Sequence, residues 1–241
     1  MRWEYAVTTV PSRVYTTLPR TLQSLLYAGF PSPRICVDGR LDLIPRWFDQ
    51  YKVTRHEEPV FAYGNWVLAL QQMIIASPDC DRYAIFQDDI LLSMHARQYL
   101  ERCPWPGKCY LNMITYPYNH PGTEGLPERK DDGWYASRQK GKGAQALIFD
   151  RESATALLTS KRFFERRFNL EIDHLGRRRG RVNIDGGICD ALGELGFIEY
   201  VHWPSLVGHQ DEVPSAIGNP AQPKIGSWRG EGFDAMACLA K

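Results

Sequence analysis

The chain has 241 residues, of which 44% are hydrophobic and 24% charged, enough to bury a substantial core in one large or two small globular domains and too apolar for a disordered chain. Lys and Arg total 29 against 28 Asp and Glu, so overall charge gives no reason to expect a general polyanion binder, and any electrostatic specialisation must be local. No apolar run reaches the roughly 18 to 20 residues that span a bilayer, and the polar start Met1-Arg2-Trp3-Glu4 is unlike a signal peptide, so a cytoplasmic location is expected. The six cysteines form no Cys-x-x-Cys pair and mostly lie in apolar contexts, which predicts reduced, structural thiols rather than zinc ligands.

In chain order, Trp3 to Thr9 has the pattern of a strand and is followed by the loop Val10-Pro11-Ser12-Arg13. Thr17 to Ala28 has helical spacing at Leu18, Leu22, Leu25 and Leu26, with Pro19 tolerated in the first turn and Gly29 as a stop. Arg34 to Val37 is a short second strand ending at Asp38-Gly39, Tyr51 to Thr54 a third, and Gly64 to Ala76 a helix. Arg82 to Phe86 is the fourth strand, and it delivers Gln87-Asp88-Asp89. Strands separated by helices imply right-handed crossovers and an α/β fold with a Rossmann-like, mainly parallel central sheet flanked by helices. Cys109 to Ile114 and Ala144 to Phe149 are expected strands on either side of a loop rich in Pro, Gly and charge, from Pro117 to Lys142. Long loops of that kind are more often binding loops than linkers. Helices are expected at Arg151 to Ser160 and Ile184 to Leu195, and a strand at Ile198 to His202. The tail after Gly208 has little periodicity, and its Gly- and Trp-containing end is expected to pack over the site.

The acidic pair Asp88-Asp89 ends an apolar strand, before the chain turns apolar again, at the edge where α/β sheets bind ligands. Hard cations such as Mg²⁺ and Mn²⁺ take one or two carboxylates plus substrate phosphates. Alone, such a pair is commonly a turn or a helix cap. Its company shifts the balance: Asp38 and the Thr8-Thr9 pair also end expected parallel strands, and such ends converge on one crevice.

The order strand, polar loop with Arg13, strand ending in Val37-Asp38-Gly39, helix opening at Gly64-Asn65, and strand ending in Phe86-Gln87-Asp88-Asp89 resembles the nucleotide-sugar half of GT-A type glycosyltransferases. The acidic segment looks like their Asp-x-Asp motif in a variant form. Asn183-Ile184-Asp185-Gly186-Gly187, Ala191 to Gly196 and then His202-Trp203-Pro204-Ser205-Leu206-Val207-Gly208-His209 are similar to the acceptor-side Asp helix and the Pro-Ser-Leu-Val-x-His ending of several such families. The resemblance spans about residues 5 to 219. It implies one GT-A-like domain over residues 1–241, with 1–92 binding the nucleotide sugar and 93–241 the acceptor. The implied function is metal-dependent transfer of a sugar, as from a UDP-sugar, to a hydroxyl acceptor, with Mn²⁺ or Mg²⁺ as cofactor.

Residue by residue, the resemblance implies Asp89 and His209 as metal ligands, with Asp88 nearby and Gln87 towards the ribose. Thr8, Thr9, Arg13 and Asp38 would surround the nucleoside, with Asn65 facing the same pocket; each has a bland counterpart as strand residue, surface charge, turn or helix cap. Inverting transfer needs a base for the acceptor hydroxyl. Asp185 is the candidate, although an Asp there also suits a helix N-terminus, and Asp190 is the fallback. His202 is read as structural.

Eight Lys or Arg residues between Lys161 and Arg181 face only Glu165, Glu171 and Asp173, a local surplus of five positive charges. Such a run is commonly a solvated face; next to an acceptor site it could hold nucleic-acid phosphates. Arg138, Lys140 and Lys142, near Trp134 and Tyr135, would extend that surface and add stacking faces. An acceptor in that case would be a hydroxymethylated pyrimidine in DNA, extruded from the duplex, in a bacterium or a phage-infected host. The alternatives are a glycan or small-molecule acceptor with the same donor chemistry, a metal-dependent nucleotidyltransferase, and a non-catalytic nucleotide-sugar or nucleic-acid binding module.

Overall fold

The computed structural model describes residues 1–123, 128, 131–138, 143–165, 170–172, 178–180, 184–210 and 225–239, with the backbone alone for 170–172 and 178–180. The first half alternates strands and helices as the periodicity predicts: β1 (Trp3–Thr9), α1 (Thr17–Tyr27), β2 (Arg34–Asp38), β3 (Val53–His56), α2 (Phe61–Ala76) and β4 (Arg82–Gln87). There follow β5 (Ile90–Leu92), α3 (Ala96–Arg102), β6 (Cys109–Asn112), β7 (Gly133–Ala136), β8 (Ala146–Asp150), α4 (Arg151–Thr159) and α5 (Lys161–Glu165). Then come β9 (Leu170–Ile172), β10 (Arg178–Gly180), α6 (Ile184–Glu194), β11 (Ile198–Trp203) and β12 (Val207–His209), and the described part closes with a 3₁₀ turn at Ala235–Leu239.

Eight strands form one sheet in the order β3-β2-β1-β4-β8-β6-β11-β7. The four N-terminal strands are mutually parallel, β6 and β11 are parallel to each other, and β8 and β7 run against their neighbours. The sheet is therefore mostly parallel and passes without a break from the first half of the chain into the second. Period-2 alternation sends Val7, Ile35, Phe86 and Ile148 to one face, where Leu18, Leu22 and Leu25 of α1 cover them. Ala6, Cys36, Ile85 and Phe149 go to the other, under Trp66, Leu70 and Met73 of α2, Leu157 of α4 and Leu192 of α6. Both faces are dry, so Ala6 and Val7, neighbours in sequence, are each 0% exposed.

The parallel register sets Thr9 beside Val37 and Thr8 beside Gln87, so the ends of β1, β2 and β4 open on one edge. Two expectations need correction, and a two-stranded ribbon is an addition to them. The Pro117–Lys142 loop contains β7, which pairs antiparallel with the edge strand β11 and satisfies its backbone groups. Helix α2 starts three residues earlier than Gly64, because the Val60 N–H is taken by the Asp38 carboxylate at 2.7 Å and the helical turn begins from there. The short strands β5 and β12 pair antiparallel, His209 against Ile90 and Gly208 against Leu91, in a two-stranded ribbon outside the main sheet.

The C-terminal segment 225–239 packs over that ribbon, as the sequence suggests for the tail. A Cβ built on Gly208 would lie 2.2 to 2.5 Å from three ring carbons of Trp228, so only glycine lets the indole lie against the strand. Gly208→Ala is expected to cost about 1–3 kcal/mol through this overpacking. Urea denaturation checks it, and the penalty should shrink in a Trp228→Ala background; a penalty unchanged in that background would contradict the contact.

Candidate functional site

Asp88 and Asp89 follow β4 directly and are 3% and 5% exposed. Burying two neighbouring carboxylates is costly unless each is hydrogen-bonded or paired. Arg13, which closes a 3₁₀ turn immediately after β1, sets Nη1 2.8 Å from Asp88 Oδ1 and 2.7 Å from Asp89 Oδ2. Thr9, at the end of β1, donates its hydroxyl to Asp88 Oδ2. His209 Nε2 lies 3.2 Å from Asp89 Oδ2, placed there by the β5–β12 ribbon.

The ribbon is braced from α1. Thr21 and Ser24 lie on its buried face among the leucines: the Thr21 hydroxyl contacts the carbonyls of Asp88 (2.8 Å) and Ile90 (2.9 Å), and Ser24 Oγ accepts from Leu92 N at 2.7 Å. Gln210 closes the other side, its N–H on the Asp89 carbonyl at 2.8 Å and its side-chain amide on Thr21 Oγ1 at 2.9 Å. The sequence Pro204 to Val207 is held by Ser205, whose hydroxyl accepts from Thr115 N (3.1 Å) and reaches the Val207 carbonyl (2.7 Å). His202, fully buried, hydrogen-bonds Tyr99 and the Pro204 carbonyl through its two ring nitrogens, which fits the structural reading.

The two carboxylates differ in character. Burial, then the charge of Asp89, push Asp88 up to about 6 against the opposing pull of Thr9 and Arg13. Burial also acts on Asp89, but its hydrogen bond and charge interaction with His209, followed by Arg13, outweigh burial and hold it below the usual carboxylate range. Oδ1 of Asp89 is buried with no hydrogen-bond partner among the described residues. An acceptor-only oxygen left so needs a cation or a donor to complete it. One carboxylate oxygen and one imidazole suit Mn²⁺ or Mg²⁺ with substrate oxygens for the remainder. Among the described residues no three His, Cys, Asp or Glu side chains form a ready-made metal cage.

The other sequence-selected donor residues lie at the same sheet edge in different roles. Thr8 and Gln87 are half-buried neighbours in register, and the Gln87 N–H is taken by the Gln145 carbonyl at 2.8 Å. Asp38 is buried and holds Val60 N. Asn65 is not a helix cap: it lies inside α2 and donates its amide to the carbonyls of Cys36 (3.0 Å) and Thr9 (3.4 Å), tying the ends of β2 and β1 together.

On the far side, Asp185 sits in the first turn of α6 and accepts from Gly143 N at 2.7 Å. Burial raises its pKa against the pull of the backbone N–H groups of Gly143, Ala144 and its own residue. Gly143 has φ +95°, and a Cβ there would meet Tyr116 and Ile114 below 3.0 Å. The Tyr116 hydroxyl accepts from Gln145 Nε2 at 2.8 Å, and burial, opposed by that hydrogen bond and reinforced by the charges of Asp185 and Asp89, raises its pKa. Asp190 is exposed on α6. Trp134 and Tyr135 are not free stacking faces, because Trp134 packs edge-on against His202 and the buried Tyr135 donates to the Asn119 carbonyl. Arg166, Arg167, Arg177 and Arg181 of the basic run, together with Lys140 and Lys142, lie outside the described residues, and Arg178 and Arg179 are described by backbone alone.

Sequence reasoning missed Glu199. It is 4% exposed on β11, accepts from Asn112 Nδ2 at 2.9 Å and from the Ser137 hydroxyl, and lines a small void with Asp185 and Tyr110. The interleaving of Thr21 and Ser24 with leucines on α1 was a readable signal; the inward Glu199, beside an exposed Ile198, was not.

No protein-family profile matches the chain, and no curated protein matches it. Among solved structures, GalNAc-T7, determined with UDP, GalNAc and Mn²⁺, superimposes with a TM-score of 0.52 at 13% identity, over 83% of this chain and 44% of that longer one. The 1–349 portion of S. aureus TarS gives 0.48 at 14% identity, covering 83% of this chain and 60% of that one, and A197 from STIV gives 0.41 at 14% over 87% and 85%. The fold is GT-A-like.

Burial raises Glu199, opposed by Ser137 and Asn112 and reinforced by Asp185. An acid with a raised folded pKa keeps its proton longer when folded, so its ionisation removes stability as pH climbs above the ordinary carboxylate range near 4. Glu199→Gln is therefore expected to gain stability relative to the parent between pH 5 and pH 8. Paired urea denaturations check this; a variant that loses ground over that interval would contradict it.

Proposed function

We propose that this protein is a divalent-cation-dependent glycosyltransferase that moves a sugar from a nucleoside diphosphate sugar, a UDP-sugar, to a hydroxyl acceptor. The observation that carries the reading is the meeting of Arg13, Asp88, Asp89 and His209 on one buried carboxylate cluster at the carboxyl edge of a GT-A-like sheet. Asp89 and His209 would hold Mn²⁺ or Mg²⁺. The chemistry supplied there is charge neutralisation on the leaving diphosphate. Arg13 adds a fixed positive charge beside it, and Thr8, Thr9, Asp38, Asn65, Gln87 and Asp88 form the donor wall.

Asp185 is the proposed base. Its raised pKa makes it a better proton acceptor than an exposed carboxylate, and the Gly143 N–H fixes its orientation. A base in that place supports inversion of configuration. The single sheet shared by both halves supports one domain, in which residues 1–92 would serve the donor and 93–241 the acceptor. Among the described residues no helix is long and apolar enough to cross a membrane. The acceptor class we propose, a hydroxymethylated pyrimidine in DNA, rests on the positive charge of Lys161–Arg181 in the sequence.

Asp89→Ala should remove turnover while leaving the protein folded by circular dichroism, and excess chelator should do the same to the parent; full activity in either case would sink the cation reading. Asp185→Asn should lower kcat by about 10²- to 10⁴-fold, with UDP binding retained in calorimetry. The donor and acceptor are tested by release of nucleoside diphosphate from a panel of nucleotide sugars, with and without hydroxymethylcytosine DNA. Stimulation by that DNA over plain DNA and simple glycans is expected; equal rates would return the basic run to a solvated face.

A further inference from the structure

Arg13 is 8% exposed, and one of its nitrogens is the shared counter-ion of two adjacent buried carboxylates. The Asp89 oxygen that it contacts at 2.7 Å is the one that His209 reaches at 3.2 Å. A divalent cation approaching Asp89 and His209 therefore meets a guanidinium already in contact with the same carboxylate. Like charges held so close in a partly desolvated site repel strongly. A diphosphate reverses that balance, because a guanidinium pairs with phosphate oxygens by the same planar geometry that it uses on carboxylates.

We propose that Arg13 is an internal counter-cation that competes with the divalent ion for Asp89 and is taken over by the donor diphosphate, so that cation and nucleotide bind as a coupled pair. The inference rests on the reading of Asp89 and His209 as the cation's ligands. Without nucleotide, Arg13 offsets one of the pair's two negative charges and occupies Asp89, and the cation binds weakly. With a diphosphate present, Arg13 has a second partner, Asp89 is released to the cation, and each ligand tightens the other by the same factor. The device would keep the cation from settling ahead of its substrate, and it would spare the empty site two uncompensated buried charges.

The test is a titration of MnCl₂ into the parent chain of residues 1–241 and its Arg13→Met variant, following free Mn²⁺ by electron paramagnetic resonance with and without UDP. The parent is expected to bind Mn²⁺ at least about tenfold more tightly when UDP is present. Arg13→Met is expected to bind Mn²⁺ alone at least about tenfold more tightly than the parent does, with a much smaller gain from UDP. Should the variant be unstable without its guanidinium, thermal melting carries the same information, since Mn²⁺ should then raise its Tm by more than it raises the parent's. A variant that binds Mn²⁺ alone no better than the parent, with no larger rise in Tm, overturns the proposal. If the parent binds no Mn²⁺ even with UDP, the cation reading itself fails, an outcome distinct from failure of the Arg13 exchange alone.

Discussion

The carboxylate of Asp89 is buried, and desolvating that charge is the cost around which its neighbourhood is built. Arg13 and His209 come to the same oxygen from points in the sequence far apart, and neither could do so without the elements that carry it. Arg13 needs β1 to end in a tight turn beside β4, which the parallel register secures. His209 needs β12 to lie antiparallel to β5, a pairing of three residues too short to be stable by itself. Thr21, Ser24 and Gln210 provide the missing backbone and side-chain partners, so a polar stripe on α1 becomes part of the site's foundation.

A second layer links this carboxylate to the other half of the chain. Ser205 joins the segment before β12 to the stretch after β6, and the 225–239 segment presses Trp228 onto Gly208. From the stretch after β6, Tyr116 reaches Gln145, whose carbonyl in turn holds the Gln87 N–H at the end of β4. Tyr116 also packs against the Gly143 turn that orients Asp185. Asp89 and Asp185 are thus tied, among the described residues, to one scaffold of short hydrogen bonds.

The parts legible in the sequence were those governed by local periodicity and by chain order. Strands β1, β2 and β4 and helices α1 and α2 follow apolar spacing, and the parallel connection rule then puts Thr9, Asp38 and Asp88 at one edge. The motif from His202 to His209 was readable as a unit, and four of its positions have a physical reason: His202 bridges Tyr99 and Pro204, Ser205 ties loops, Gly208 admits Trp228, and His209 meets Asp89. What was not legible depends on partners remote in sequence. Asn65 resembles a cap until α2 is seen to begin at Phe61, and Glu199 resembles a surface residue until β7 covers β11 and Ser137 and Asn112 reach it. β7 itself was hidden because a four-residue edge strand inside a Pro- and Gly-rich loop carries too little pattern to separate from its surroundings.

In the proposed function, Asp89 and His209 are the protein's share of a cation site completed by a nucleoside diphosphate. Anomalous diffraction at the manganese edge, from crystals grown with UDP and Mn²⁺, tests it most directly. A single strong peak is expected within coordination distance of both the Asp89 carboxylate and the His209 imidazole, with the diphosphate on its open side. UDP bound at the sheet edge without such a peak, or manganese held by other residues, would contradict it.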